Sequence, residues 1–107
     1  MRQWLVNPKL LCRKHLLGEH VESHMFVGTI LKKKSLDGYF RNRLLEVHNL
    51  KRRHQELVQE MTARGYNHKS KLPYFRSWKE GYVDRKGNIK ELTRRCKECG
   101  VRIQKEA

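Results

Sequence analysis

No stretch of this 107-residue chain alternates apolar and polar residues for long, whereas three segments repeat their apolar residues at helical spacing. A half-buried strand needs the first pattern and a surface helix the second. The chain therefore predicts an all-α fold, about three helices joined by irregular segments. Its length suits one domain over residues 1–107. Hydrophobic residues make up only 37% of it, which predicts a small core and no large buried pocket. The longest apolar runs are triplets such as Met25-Phe26-Val27, far below the ~20 residues that cross a bilayer, and no signal-peptide pattern follows Met1. Three cysteines, an odd number, fit a reducing compartment better than a disulfide scaffold. A soluble, cytoplasmic monomer with no membrane partner is expected.

The first helix is expected from Asn7-Pro8, a capping residue before a proline at the first helical position, to about Lys33. On its wheel Leu10, Leu16, Leu17, Val21, Val27 and Leu31 share an arc with His20 and His24, while His15, Glu19 and Glu22 take the opposite side. A second helix is expected over roughly 44–64, with Val47, Leu50, Leu57, Val58 and Met61 as its stripe and Gly65 as a left-handed C-cap. The third should begin at Asn88, which forms a capping box with Glu91, and should set Ile89, Leu92, Cys96 and Cys99 on one side before Gly100. The stretch 71–87 reads as irregular. Its Tyr74, Phe75, Arg76, Trp78, Lys79 and Tyr82 suit a base-stacking platform, and equally the completion of a small core.

Lys and Arg number 25 against 11 Asp and Glu, a formal net charge of +14. Such an excess points to a polyanionic partner, and Lys51, Arg52, Arg53 and Arg64 on the second helix to phosphate contact. Metal binding has little support in the spacing. His20 and His24 stand as His-x-Glu-x-His, not the zincin His-Glu-x-x-His, and lie in the apolar arc, where hydrogen-bonded core histidines are usual. Cys96 and Cys99 form a lone pair, Cys12 is the other thiol, and a structural zinc needs four ligands. No metal and no cofactor is expected.

Two separated runs resemble a known family. His15-Leu-Leu-Gly-Glu19-His-Val-Glu22, shortly after Met1-Arg2, is similar to the first helix of the pyrimidine-dimer DNA glycosylases, the family of phage endonuclease V. Leu50-Lys-Arg-Arg-His-Gln-Glu56-Leu57-Val58, followed by Arg64-Gly65-Tyr66-Asn67-His-Lys69, resembles that family's second helix in register. The resemblance covers residues 1–70. It implies a bifunctional enzyme that excises cyclobutane pyrimidine dimers from double-stranded DNA and nicks the abasic site. The implied nucleophile is the N-terminal α-amine, here on Met1, which attacks the sugar C1′ and forms an imine. Glu22 matches the glutamate that stabilises the cationic sugar and assists proton transfer. Arg2 matches the basic residue beside the amine. DNA contacts are expected from Arg2, His15, Lys51, Arg52, Arg53, Arg64 and Lys69. Arg2 is too bulky for efficient methionine excision, so Met1 is expected to stay.

The chemistry has a physical basis of its own. An α-amine has an ordinary pKa of ~7.7–8, so an appreciable fraction is free base at neutral pH, unlike a lysine. Two other readings remain open from the residues: a non-catalytic nucleic-acid-binding module, and a metal-dependent hydrolase using His20, His24 and Glu19.

Overall fold

Among the described residues, the helical pattern resolves into five α-helices and no strand: α1 (Arg13–Leu31), α2 (Asp37–Arg41), α3 (Leu50–Ala63), α4 (Arg85–Arg95) and α5 (Lys97–Glu106). The computed structural model describes residues 1–68 and 70–106.

The boundaries follow from where the caps act. Asn7 does cap, its Oδ1 accepting the Lys9 N–H at 3.0 Å, but it caps only a single 3-10 turn over Pro8–Leu10. Leu11 and Cys12 then run extended, and α1 starts at Arg13. A second 3-10 turn, Val47–Asn49, delays α3 to Leu50 rather than the region of Leu44. The end of α3 is as its residues predict. Gly65 takes φ +84°, Tyr66 N–H donates to the Met61 carbonyl at 2.8 Å and Gly65 N–H to that of Thr62 at 2.9 Å, the paired bonds that close a helix through a left-handed glycine.

The third expected helix is two helices. Asp84, not Asn88, is its cap: Asp84 Oδ1 accepts the Gly87 N–H at 3.0 Å and α4 starts at Arg85. Cys96 is extended (φ −134°, ψ 110°), which breaks the run and leaves Cys96 and Cys99 at a corner between α4 and α5.

Helix α1 packs antiparallel to α3, and their shared face changes character along its length. At one end Leu16 meets Leu57 and Met61 in a cluster with Trp4, Val6, Leu11 and Leu92. At the other, Phe26 and Val27 meet Leu50 in a cluster with Leu36, Leu45, Val47 and Phe75. Between them lies a buried polar seam of Glu19, His20 and Ser23 on α1 and Arg53 and His54 on α3. The expected apolar arc of α1 is corrected accordingly. Val21 and Leu31 are exposed, while Glu19, placed on the outer arc by its wheel position, is 1% exposed. The whole forms a slab of 40 × 31 × 17 Å, thin enough that neither core cluster lies far from solvent.

Candidate active site

The first seven residues form no regular element, yet hydrogen bonds fix them from three sides. Gln3 N–H donates to the Leu44 carbonyl at 2.8 Å, and the buried Gln3 amide brackets the Glu46 backbone, accepting its N–H at 2.7 Å and donating to its carbonyl at 3.3 Å. Asn88 of α4 donates to the Trp4 carbonyl at 2.8 Å, and Arg53 of α3 donates to the Val6 carbonyl at 2.6 Å. Each bond contributes about 0.5–1.5 kcal/mol net, so together they outweigh the freedom of a chain end.

This clamp sets the Met1 nitrogen 3.6 Å from Glu22 Oε1 on α1. The same oxygen accepts the Arg2 backbone N–H at 3.0 Å, which orients the carboxylate toward the terminus. Both side chains remain partly open to solvent, Met1 at 13% and Glu22 at 27%. Val21 and Met25, exposed, flank Glu22 on α1 and form an apolar shoulder next to it. An amine paired with a carboxylate on an accessible rim can attack an electrophilic carbon and then exchange protons with its neighbour.

The other residues expected at a DNA surface separate into two groups. Lys51 and Arg52 are exposed on α3, with Arg52 donating to Asn49 Oδ1 at 3.0 Å. Lys69 lies outside the described residues. Arg53, by contrast, is 2% exposed and grips Glu19 with two bonds of 2.7 and 2.9 Å, so it is a buried ion pair and not a phosphate ligand. Arg64 donates to Glu60 and to the Pro8 and Leu11 carbonyls, tying the first 3-10 turn to α3. The Arg2 guanidinium lies 3.8 Å over the Trp4 ring and donates to Asn88 Oδ1 at 2.7 Å. The reason is periodic: Leu50, Arg53, His54, Leu57 and Met61 share the inner stripe of α3, and charge alone did not keep Arg53 out of it. The aromatics divide as well. Phe75 is buried in the core, while Tyr74, Trp78 and Tyr82 are exposed.

His15 is also elsewhere than expected. Its Nδ1 lies 3.2 Å from Cys12 Sγ and 3.5 Å from Cys99 Sγ, and Cys12 Sγ lies 3.8 Å from Cys96 Sγ. A second cluster joins His20, His24, His54 and His68, with His24 and His54 Nε2 atoms 3.2 Å apart. Burial, reinforced by the neighbouring histidines, pulls His20 and His54 down to about 4. Counting ligands along the chain missed both clusters because each is completed by a distant helix or loop. The signal was present in the first: Cys12-x-x-His15 repeats the spacing of Cys96-x-x-Cys99. The hydrolase reading loses its base, since Glu19 is committed to Arg53.

A small, strongly basic, all-helical protein with the Met1 nitrogen held 3.6 Å from the Glu22 carboxylate is what this fold and site define. A family profile described as pyrimidine dimer DNA glycosylase matches residues 1–74, and the chain belongs to that family. No curated protein and no solved structure matches it. The match takes in the N-terminal segment, α1, α2 and α3, and stops before α4 and α5. Membership implies a DNA substrate. No helix among the described residues is long and apolar enough to cross a membrane.

Proposed function

We propose that this protein excises cyclobutane pyrimidine dimers from double-stranded DNA and cleaves the strand at the resulting abasic site, with the Met1 α-amine as nucleophile. The observation that carries this reading is the pairing of that amine with Glu22 Oε1 at 3.6 Å, fixed by the Arg2 N–H on the same oxygen. The free-base amine attacks the sugar C1′ of the damaged nucleotide, and the bond from C1′ to the base breaks. The departing base takes the bonding pair and a proton. One N–H proton is lost, and the C1′–O4′ bond opens as the second passes to O4′, which leaves an imine between Met1 and C1′. Removal of a C2′ proton then expels the 3′ phosphate by β-elimination, and water releases the enzyme. The Glu22 carboxylate stabilises the cationic sugar and iminium by proximity and shuttles these protons.

Reaching C1′ requires a bent duplex or an extruded nucleotide, and the exposed Val21 and Met25 give the opened step an apolar surface to lie against. Exposed cations, Lys51 and Arg52 among them, hold the phosphates. Glu22→Gln tests the assignment. It keeps the side chain's size and removes its charge, so abasic-site cleavage should fall by about 10²–10⁴-fold while affinity for the same duplex changes little. Cleavage at the wild-type rate would remove Glu22 from the mechanism. A wild-type protein that binds but cleaves neither abasic nor dimer-containing DNA is a binding module.

A further inference from the structure

We propose that Cys12, His15, Cys96 and Cys99 bind a structural zinc ion that staples the start of α1 to the corner between α4 and α5. All three thiols are free, and their sulfurs and one ring nitrogen of His15 lie within 4.8 Å of one another. A tetrahedral zinc with its usual bond lengths sets sulfur–sulfur edges of about 3.8 Å and sulfur–nitrogen edges of about 3.6 Å. The protein's own edges are 3.8 Å between Cys12 and Cys96, and 3.2 and 3.5 Å from His15 to Cys12 and Cys99. The Cys12 and Cys96 sulfurs are thus spaced as co-ligands and not as a disulfide.

The surroundings suit thiolates. Cys12 N–H donates to Cys99 Sγ at 3.2 Å and Cys99 N–H to Cys96 Sγ at 3.5 Å, the outer-shell bonds that stabilise metal-bound sulfur. Zinc with three thiolates and a neutral imidazole carries a single net negative charge, acceptable in a chain of +14. Trp4 packs edge-on to His15, with ring centroids 5.8 Å apart, so the staple also supports the N-terminal segment. Cys96 and Cys99 lie outside the residues matched by the family, and the zinc would join that added C-terminal unit to the shared part.

A separate observation carries a second site. The Nε2 atoms of His20 and His68 are buried with no hydrogen-bond partner among the described residues, and both rings face His54, at centroid distances of 5.0 and 5.4 Å. A buried imidazole nitrogen without a partner is costly. The four ligand nitrogens of His20, His24, His54 and His68 lie within 4.8 Å of one another, and the 3.2 Å between His24 and His54 is close to the edge of about 3.3 Å that a tetrahedral zinc sets. We infer a borderline divalent ion here, of the kind that imidazole prefers, with zinc as its probe. Neither site depends on the reading of Met1 and Glu22.

Metal content decides both. Untagged full-length protein, loaded with zinc and dialysed without chelator, should hold two equivalents by mass spectrometry of the metal, and Cys99→Ser and His54→Ala should each hold one. The variants can fail to fold, so wild-type protein is also titrated with cobalt. The cysteine site should then give a sulfur-to-cobalt charge-transfer band, and all three thiols should resist a thiol reagent until chelator is added. Absence of that band with thiols freely reactive overturns the first site. A wild-type stoichiometry of one equivalent with the band present overturns the second. Protein without bound metal overturns both.

Discussion

The residue that most changes meaning between sequence and structure is Arg53. It sits in a run of cations that invites a phosphate, yet it occupies the inner stripe of α3, bidentate on Glu19. Both side chains are almost completely buried, so removing either partner leaves an uncompensated charge in the seam. Glu19→Ala should therefore destabilise the fold by about 3–5 kcal/mol, read as a lower midpoint in chemical denaturation. Arg52→Ala, one position away and exposed, should move that midpoint little while weakening DNA binding. A second residue-scale expectation concerns Gly81. Its φ of +98° and its approach to the Leu45 carbonyl leave no room for a Cβ, and Gly81→Ala should cost more than about 1 kcal/mol.

Among the elements, the junction between the loop after α2 and the start of α4 depends on Glu46. This buried carboxylate accepts the Val83 N–H at 2.8 Å, Arg85 at 2.9 and 3.1 Å and Asn49 at 2.6 Å. Burial pushes its pKa up, but the bonds from Arg85, Val83 and Asn49 outweigh burial and hold it below its ordinary 4.5. The charged form is thus favoured by folding. Its contribution is full above pH 4.5 and is lost as pH falls through the lower folded value, so stability should drop on acidification below 4.5. Glu46→Gln should flatten that part of the denaturation profile. Arg85 is half-exposed, so Arg85→Ala should cost only about 1 kcal/mol at neutral pH. Element type was legible for the segments that became α1, α3 and the α4–α5 pair, since period and caps such as Gly65 are local, while the five-residue α2 and the two 3-10 turns were not. Element ends were not. Asn7 and Asn88 are good caps by composition, but a 3-10 turn took the first, while the second donates to Trp4, a contact across the whole chain. The inward turn of Glu19 was illegible for the same reason, because its partner lies on another helix.

For the whole molecule, the pairing of Met1 with Glu22 was legible only through the family's pattern, since no local rule places a chain terminus on a helix face. The four-histidine cluster was hidden because its residues come from separate elements, and the cysteine–histidine cluster showed only as two matching spacings far apart in the chain. The net charge of +14 predicts that DNA affinity falls steeply with salt as condensed counterions are released. Replacing Lys51 or Arg52 should flatten the logarithmic slope by up to ~1 per lost phosphate contact, equally for all sequences, as a titration at several salt concentrations will show. The central claim is the amine. An imine is reducible, so untagged protein mixed with abasic-site duplex and borohydride should give one covalent adduct, and peptide mapping should find it on the Met1 nitrogen. The same reaction with an uncleaved N-terminal tag should give none. An adduct on a lysine, or a tagged protein that traps as well as the untagged one, would contradict the account.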